Sequence, residues 1–200
     1  MPSSKSTAAR APQRKRGELR VAALQDAALA VFAEKGFAAA TMTQIAARAG
    51  APIGSLYQFF PNKDVLADAL IDRYAGQLGE ALDGLEAALP GLSTAALADA
   101  LLDLFPSRRH ERDAALALVD SRPDRNTRSA ALRDMMRDRI AALLARRAPD
   151  KPAPAVRDVA IAFLGSMKMV AMLEAEPVPA QAIAEFRSMA RLYLVDRLGA

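Results

Sequence analysis

Between Ile53 and Lys63 the chain gathers Ser55, Tyr57 and Gln58, with Gly54 beside them. These are groups that hydrogen-bond to nucleic acid rather than groups that break bonds. Gln58 can form paired hydrogen bonds to adenine, and Ser55 can bond several base edges or a phosphate. Ile53 can touch a thymine methyl, Gly54 lets the backbone come close, and the hydroxyl of Tyr57 suits a phosphate oxygen. Lys63 stands at an expected helix start, where backbone N–H groups also attract phosphate. Thr43, with Gln44 beside it, is placed to do the same from the preceding helix, and Arg14, Lys15 and Arg16 form a basic arm suited to a minor groove or to the backbone. Phe59 and Phe60 are adjacent and cannot both face one core, so one of them is exposed or in an interface. Periodicity alone leaves Ile53 and Tyr57 open, because Ile53, Leu56, Tyr57 and Phe60 also fit a single i, i+3, i+4, i+7 core stripe.

Other chemistries are short of residues. The chain has no cysteine and one histidine, which excludes a disulfide framework, thiolate catalysis and cysteine-ligated zinc, and argues against a histidine-based triad or metal site. No clustered carboxylates at ligand spacing and no Gly-rich phosphate loop are present, so no catalytic residues, metal or cofactor are expected and the chain is read as not an enzyme. His110, within "SRRHER", is expected to be a solvated loop residue, with an anionic effector group as its alternative use. No apolar run approaches the roughly 20 residues of a membrane span, and the N-terminal stretch lacks the apolar core of a secretory signal. A cytoplasmic location without a membrane partner is the expectation.

The net charge is +4 over 200 residues, but it is unevenly placed. Residues 1–64 hold nine Lys/Arg and four acids, a net of +5, which leaves −1 for the remainder. A basic first third on a near-neutral body points to a polyanion at that end.

Short helices must position these groups. The composition is 52% hydrophobic but only 5% aromatic, and much of the apolar content is Ala, the best helix former, so an all-α fold is expected. Residues 1–17 read as a disordered basic arm. The first helix runs from about Glu18 to Lys35, with Leu24, Ala27, Ala28, Val31 and Phe32 at helical spacing, Gly36 as its stop and Phe37 packing back. A second helix starts near Thr43, taken as its cap, and ends at Gly50. A third opens at Pro52 and closes at Pro61. Asn62 caps a fourth that begins "KDVLADALIDRY" and continues to about Leu89. Helices two and three are too short to stand alone, and their pairing through a tight Gly-containing turn is the layout of a helix-turn-helix. Beyond "PGLST" come further helices that end near Phe105 and span about 110–120, 128–147, 155–175 and 179–198.

The stretch Phe37–Leu66 resembles the DNA-binding signature of the TetR/AcrR family of bacterial transcriptional regulators. The resemblance is carried by "TMTQIA" and "AGAPIGSLYQFFPNKDVL", with Thr43, Ile45, Ala46, Ala49, Gly50, Gly54, Leu56, Tyr57, Phe60, Lys63 and Leu66 in register. It implies a three-helix DNA-binding domain over 18–66, joined through the fourth helix to a larger helical effector-binding and dimerisation domain over 67–200, about nine helices in all. It also implies Leu56 and Phe60 in the core, Tyr57 and Lys63 on phosphates, and a homodimer on double-stranded DNA. Pro52 and Ile53 depart from the commonest pattern, where Ser and Lys are frequent, as do Gln58 and Phe59, where His or Tyr often stand.

On that resemblance the function is that of a ligand-responsive repressor, bound to a (pseudo)palindromic operator as a homodimer and released by a small, apolar effector. The alternative is an all-helical small-molecule-binding or adaptor protein whose helix-turn-helix does not act on DNA. Six of eight methionines follow residue 134, and Met suits irregular apolar surfaces. Met135, Met136 and Met167, with Phe105 and Phe163, are candidates for an effector pocket, or else fill an Ala-rich core. Val159, Val170, Ile183, Phe186, Ala190 and Tyr193 lie on stripes of the last two helices that the resemblance assigns to a dimer interface; without it they fit an internal core equally well.

Overall fold

A computed structural model describes residues 11–121 and 125–199, with side chains from Lys15 to Ser121 and from Ala130 to Gly199. The remainder of the expected arm and the side chain of Arg14 lie outside the described residues. Those described form an all-α fold of nine α-helices: α1 (Ala11–Ala39), α2 (Met42–Arg48), α3 (Ile53–Phe59), α4 (Lys63–Ala88), α5 (Thr94–Leu102), α6 (Arg109–Asp120), α7 (Arg125–Arg147), α8 (Ala153–Leu173) and α9 (Ala180–Leu198). None of them is long and apolar enough to cross a membrane. The chain divides into two compact units, 1–72 and 73–200, so the boundary falls within α4.

In the first unit the α1 stripe is buried as its spacing predicts: Leu24, Ala27, Ala28, Val31 and Phe32 all face inward. Ile45 and Ala46 of α2, Leu56 of α3, and Leu66, Ala67 and Leu70 of α4 are buried with them. Gly36 breaks the helix with φ 74°, ψ 162°, and Phe37 folds back onto Phe32 with ring centroids 5.5 Å apart. The helix already includes Ala11, upstream of the expected start at Glu18, so Lys15 and Arg16 lie within it. Gln, Arg and Lys are good helix formers, which favours this extension.

The cap of α2 also differs from expectation. Thr41, not Thr43, is the cap residue: its Oγ1 accepts from the Gln44 amide (3.3 Å) while Gln44 Oε1 accepts from the Thr41 amide (3.2 Å). This reciprocal capping box satisfies two amides that would otherwise lack partners. At the other end the Gly50 amide donates to Ala47 O (3.1 Å) and the Ala51 amide to Ala46 O (3.0 Å). That pair of bonds is a Schellman motif, and it requires the left-handed φ of 60° that Gly50 adopts. Asn62 caps α4 as expected, its Oδ1 accepting from the Val65 amide at 2.8 Å.

The second unit is a layered helical bundle. Along α8, Val156, Val159, Ala160, Phe163, Leu164, Met167, Val170 and Ala171 form one buried stripe, which packs chiefly on α7 and α9, while α9 also packs on α5. Ser93 caps α5 through Ala96 N at 3.1 Å. α5 stops at Leu102, short of the expected Phe105; a turn and a 3₁₀ segment opened by Pro106 follow. Ion pairs tie the surface of this bundle: Arg139 to Asp83, Arg187 to Asp103 and Glu174, and Arg191 to Asp99.

Candidate nucleic-acid interface and effector cavity

α3 is anchored by one face and open on the other. Leu56 (0% exposed) and Phe60 (6%) are core, whereas Tyr57 (50%), Ile53 (40%) and Phe59 (37%) are exposed. Gly54 and Gln58 share the exposed side. The ambiguity at Ile53 and Tyr57 is thereby resolved outward, and of the two adjacent phenylalanines Phe59 is the exposed one. Thr43, Lys15 and Arg16 are exposed as well. The open face therefore combines an amide, a phenol, a bare glycine backbone and apolar side chains able to meet base methyls.

Three of the expected DNA ligands make hydrogen bonds within the protein. Ser55 is buried, and Arg20 Nη1 donates to its Oγ at 3.4 Å. Gln44 uses its carbonyl oxygen in the cap. Lys63 donates to the carbonyls of Phe37 (2.6 Å), Ala38 (3.0 Å) and Ala40 (2.9 Å), and its Nζ sits 4.6 Å from the centre of the Phe37 ring. An ammonium has three donors, so all of its hydrogen bonds go to Phe37 and Ala38 at the end of α1, where the last carbonyls lack helical partners, and to Ala40 just beyond it. Lys63 thus braces the junction that follows α1. Arg48, on α2, pairs with Glu34 at 2.6 Å on the surface.

The second unit holds a cavity of about 460 Å³, within the size range of small-molecule sites. Its walls come from four helices: Tyr74 and Leu78 on α4; Arg112, Leu116 and Val119 on α6; Leu132, Arg133 and Met136 on α7; Leu164, Lys168 and Met172 on α8, with Phe105 and Ala175 from adjoining turns. Of the five residues expected to line a pocket, Phe105 and Met136 do. Phe163 and Met167 are wholly buried in the bundle core and Met135 packs against it; the unbroken α8 stripe places 163 and 167 on the core face, a periodicity that the sequence already carried. Burial pushes the phenol of Tyr74 up to about 12, against the opposing effect of Arg112 and Arg108, so it remains a neutral donor. Lys168 is pulled below the ordinary lysine value, first by desolvation and then by the positive charges of Arg133 and Arg137. Sequence reasoning missed the three cations, which reach the cavity from three separate helices.

Three of the six expected dimer residues need correction. Val159, Val170 and Ala190 are buried in the protomer's own core, and Phe186 and Tyr193 pack against it. Ile183 is partly buried. The apolar groups that α8 and α9 leave exposed are different: Ile161, Met169 and Met172 on α8, and Met189 and Leu192 on α9. His110 is exposed in the first turn of α6.

Residues 24–70 match the family model for bacterial regulatory proteins of the tetR family. No curated protein matches the chain. Solved structures with the same fold include a TetR-like transcriptional regulator from Rhodococcus sp. RHA1, 24% identical, covering 88% of this chain and 93% of its own, with TM-score 0.62. The multidrug binding protein EbrR, complexed with imidazole, is 22% identical over 90% of this chain and 96% of its own, TM-score 0.59. The regulator FadR from Bacillus subtilis, in complex with stearoyl-CoA, is 16% identical over 90% of this chain and 98% of its own, TM-score 0.62. Residues 24–70 are thus similar to the tetR family of bacterial regulatory proteins, and the chain shares the fold of solved TetR-like regulators.

Proposed function

We propose that the protein is a ligand-responsive transcriptional regulator, a repressor, that binds a (pseudo)palindromic operator as a homodimer and leaves it when a small molecule enters the cavity of the second unit. The observation that carries this reading is the exposed face of α3. An isolated helix-turn-helix used only as scaffold has no reason to leave Tyr57, Ile53 and Phe59 in water beside Gln58, since each exposed apolar group forgoes burial that stabilises a fold. Tyr57 contacts phosphate, and Gln58, Gly54 and Ile53 meet base edges; Lys15, Arg16 and Thr43 add backbone contacts.

Two copies pair through the exposed stripes of α8 and α9. On α9 the residues Glu185, Met189, Leu192 and Asp196 recur at i, i+4, i+7, i+11 and are all exposed, so one face offers an apolar centre with acidic ends. On α8 the exposed Ile161, Ala162, Gly165 and Met169 supply small residues that allow close helix approach. A dimer that reads adjacent turns needs its two recognition helices about 34–36 Å apart. α4 carries residues of both units, so an effector that prefers one α4 position biases that separation, and operator affinity changes through a population shift. Liganded relatives support the effector role: EbrR was solved with imidazole and FadR with stearoyl-CoA. The test is in-vitro selection of random duplex DNA by the purified protein. Recovery of one sequence with two inverted half-sites is expected; a pool that stays random after enrichment contradicts the reading.

A further inference from the structure

The cavity has an asymmetry that an apolar effector does not explain. Its walls are largely hydrocarbon, yet Arg112, Arg133 and Lys168 reach it from α6, α7 and α8, and no Asp or Glu is among its described lining residues. Arg112 is engaged by Asp113 at 2.7 Å, with its side chain only 12% exposed. Arg133 and Lys168 have no carboxylate partner among the described residues, although this surface pairs most of its arginines. Gathering like charges beside apolar walls is unfavourable unless something of opposite sign joins them. Arg133 and Arg137 already oppose the charge on Lys168, and an incoming anion relieves that repulsion.

We propose that the cavity selects an amphipathic organic anion: an acidic head held by Arg133 and Lys168, on an apolar body that fills the space between Phe105, Leu78, Met136 and Leu164. This rests on the reading of the cavity as the effector site and adds the ligand's charge. Arg presents a planar donor fork that matches a carboxylate or sulfonate, while Lys adds a point charge. The hydroxyl of Tyr74 is a further neutral donor at the same wall. The body is small-molecule sized, set by the volume of about 460 Å³.

A matched pair of fluorescent probes tests it: 8-anilinonaphthalene-1-sulfonate and N-phenyl-1-naphthylamine, which differ by the sulfonate. Each is titrated into the intact protein, into Arg133→Gln/Lys168→Gln, and into Leu116→Trp, where a half-exposed wall residue is enlarged to block the cavity with little cost to folding. Charge-assisted hydrogen bonds correspond to roughly tenfold or more in affinity. The sulfonate probe is expected to bind at least about tenfold tighter than the neutral one, at one site per protomer. The ratio falls to about one in the double variant, and binding is lost in Leu116→Trp. Equal or weaker binding of the sulfonate, with the neutral probe still displaced by Leu116→Trp, overturns anion selection but leaves the cavity as an effector site. Sulfonate binding that Leu116→Trp leaves intact overturns it too, because the probe is then held elsewhere. If neither probe binds, the effector reading fails together with the proposal.

Discussion

Replacing Lys63 by Met separates two roles that the same side chain could play. Its ammonium donates to two carbonyls at the end of α1 and one just beyond it, and sits over the Phe37 ring. A hydrogen bond to a charged donor contributes about 1.5–3 kcal/mol when water is excluded. Here the bond to Ala38 is exposed and those to Phe37 and Ala40 are part-buried, so water recovers much of the loss. Adding about 0.5–1 kcal/mol for the ring contact, the expected cost of Lys63→Met is about 2–3 kcal/mol. With a urea slope near 2 kcal/mol/M this lowers the midpoint by about 1 M. Far-ultraviolet circular dichroism follows the helices, and Tyr57, the one tyrosine of the first unit, provides a local signal. Lys63→Arg is expected to recover less than half, because a planar fork cannot direct three donors at three convergent carbonyls. A phosphate role gives a different signature: unchanged stability, and a salt slope of DNA binding reduced by about 0.9 for each phosphate no longer neutralised. A midpoint shift below about 0.2 M would refute the brace.

Three further outcomes follow from particular residues. Gly50→Ala forces a side chain into φ 60°, where the site is sterically open but the conformation is not, so thermal denaturation should show a loss of about 1–2 kcal/mol, with Gly50→Asn nearer wild type. Tyr74 ionises near 12 when folded and near 10 when unfolded; the unfolded chain releases that proton first, so stability falls as pH rises from about 10 to 12, by about 2–3 kcal/mol at most. Tyrosinate absorbance should show a step near 12, and Tyr74→Phe should remove it. Met189→Glu with Leu192→Glu places charge on the exposed α9 stripe and is expected to give monomers by analytical ultracentrifugation with helix content unchanged; a persistent dimer contradicts the pairing surface.

Much of the first unit was legible because local rules agree there. The α1 stripe, the Gly36 stop, the Asn62 cap and the opposed fates of Phe59 and Phe60 each follow from spacing or side-chain chemistry within a few positions. Thr41 was legible in principle: two threonines stood two residues apart, and only Thr41 has a Gln three residues later to close a capping box. Lys63 was not, since its partners lie at the end of α1, more than twenty residues away, and only the folded geometry brings them under the ammonium. In the second unit the Met and Phe content drew attention to Phe163 and Met167, although the α8 stripe already marked both as core. The cavity cations were hidden for another reason. Arg112, Arg133 and Lys168 sit on helices rich in surface charge, and which charges turn inward depends on how the helices roll against one another, a property of packing rather than of any one helix.

The central claim is that the exposed face of α3 reads DNA, and fluorescence anisotropy tests it most directly. A labelled duplex from upstream of the protein's own coding sequence, or the site returned by selection, is compared with a scrambled duplex over a salt series, for wild type and Tyr57→Ala. Tyr57 is half exposed, so its truncation should leave the fold intact. Tight binding to one duplex is expected, with a steep loss with salt and collapse of that binding in the variant. Equal, weak binding to both duplexes, unchanged by Tyr57→Ala, would contradict it.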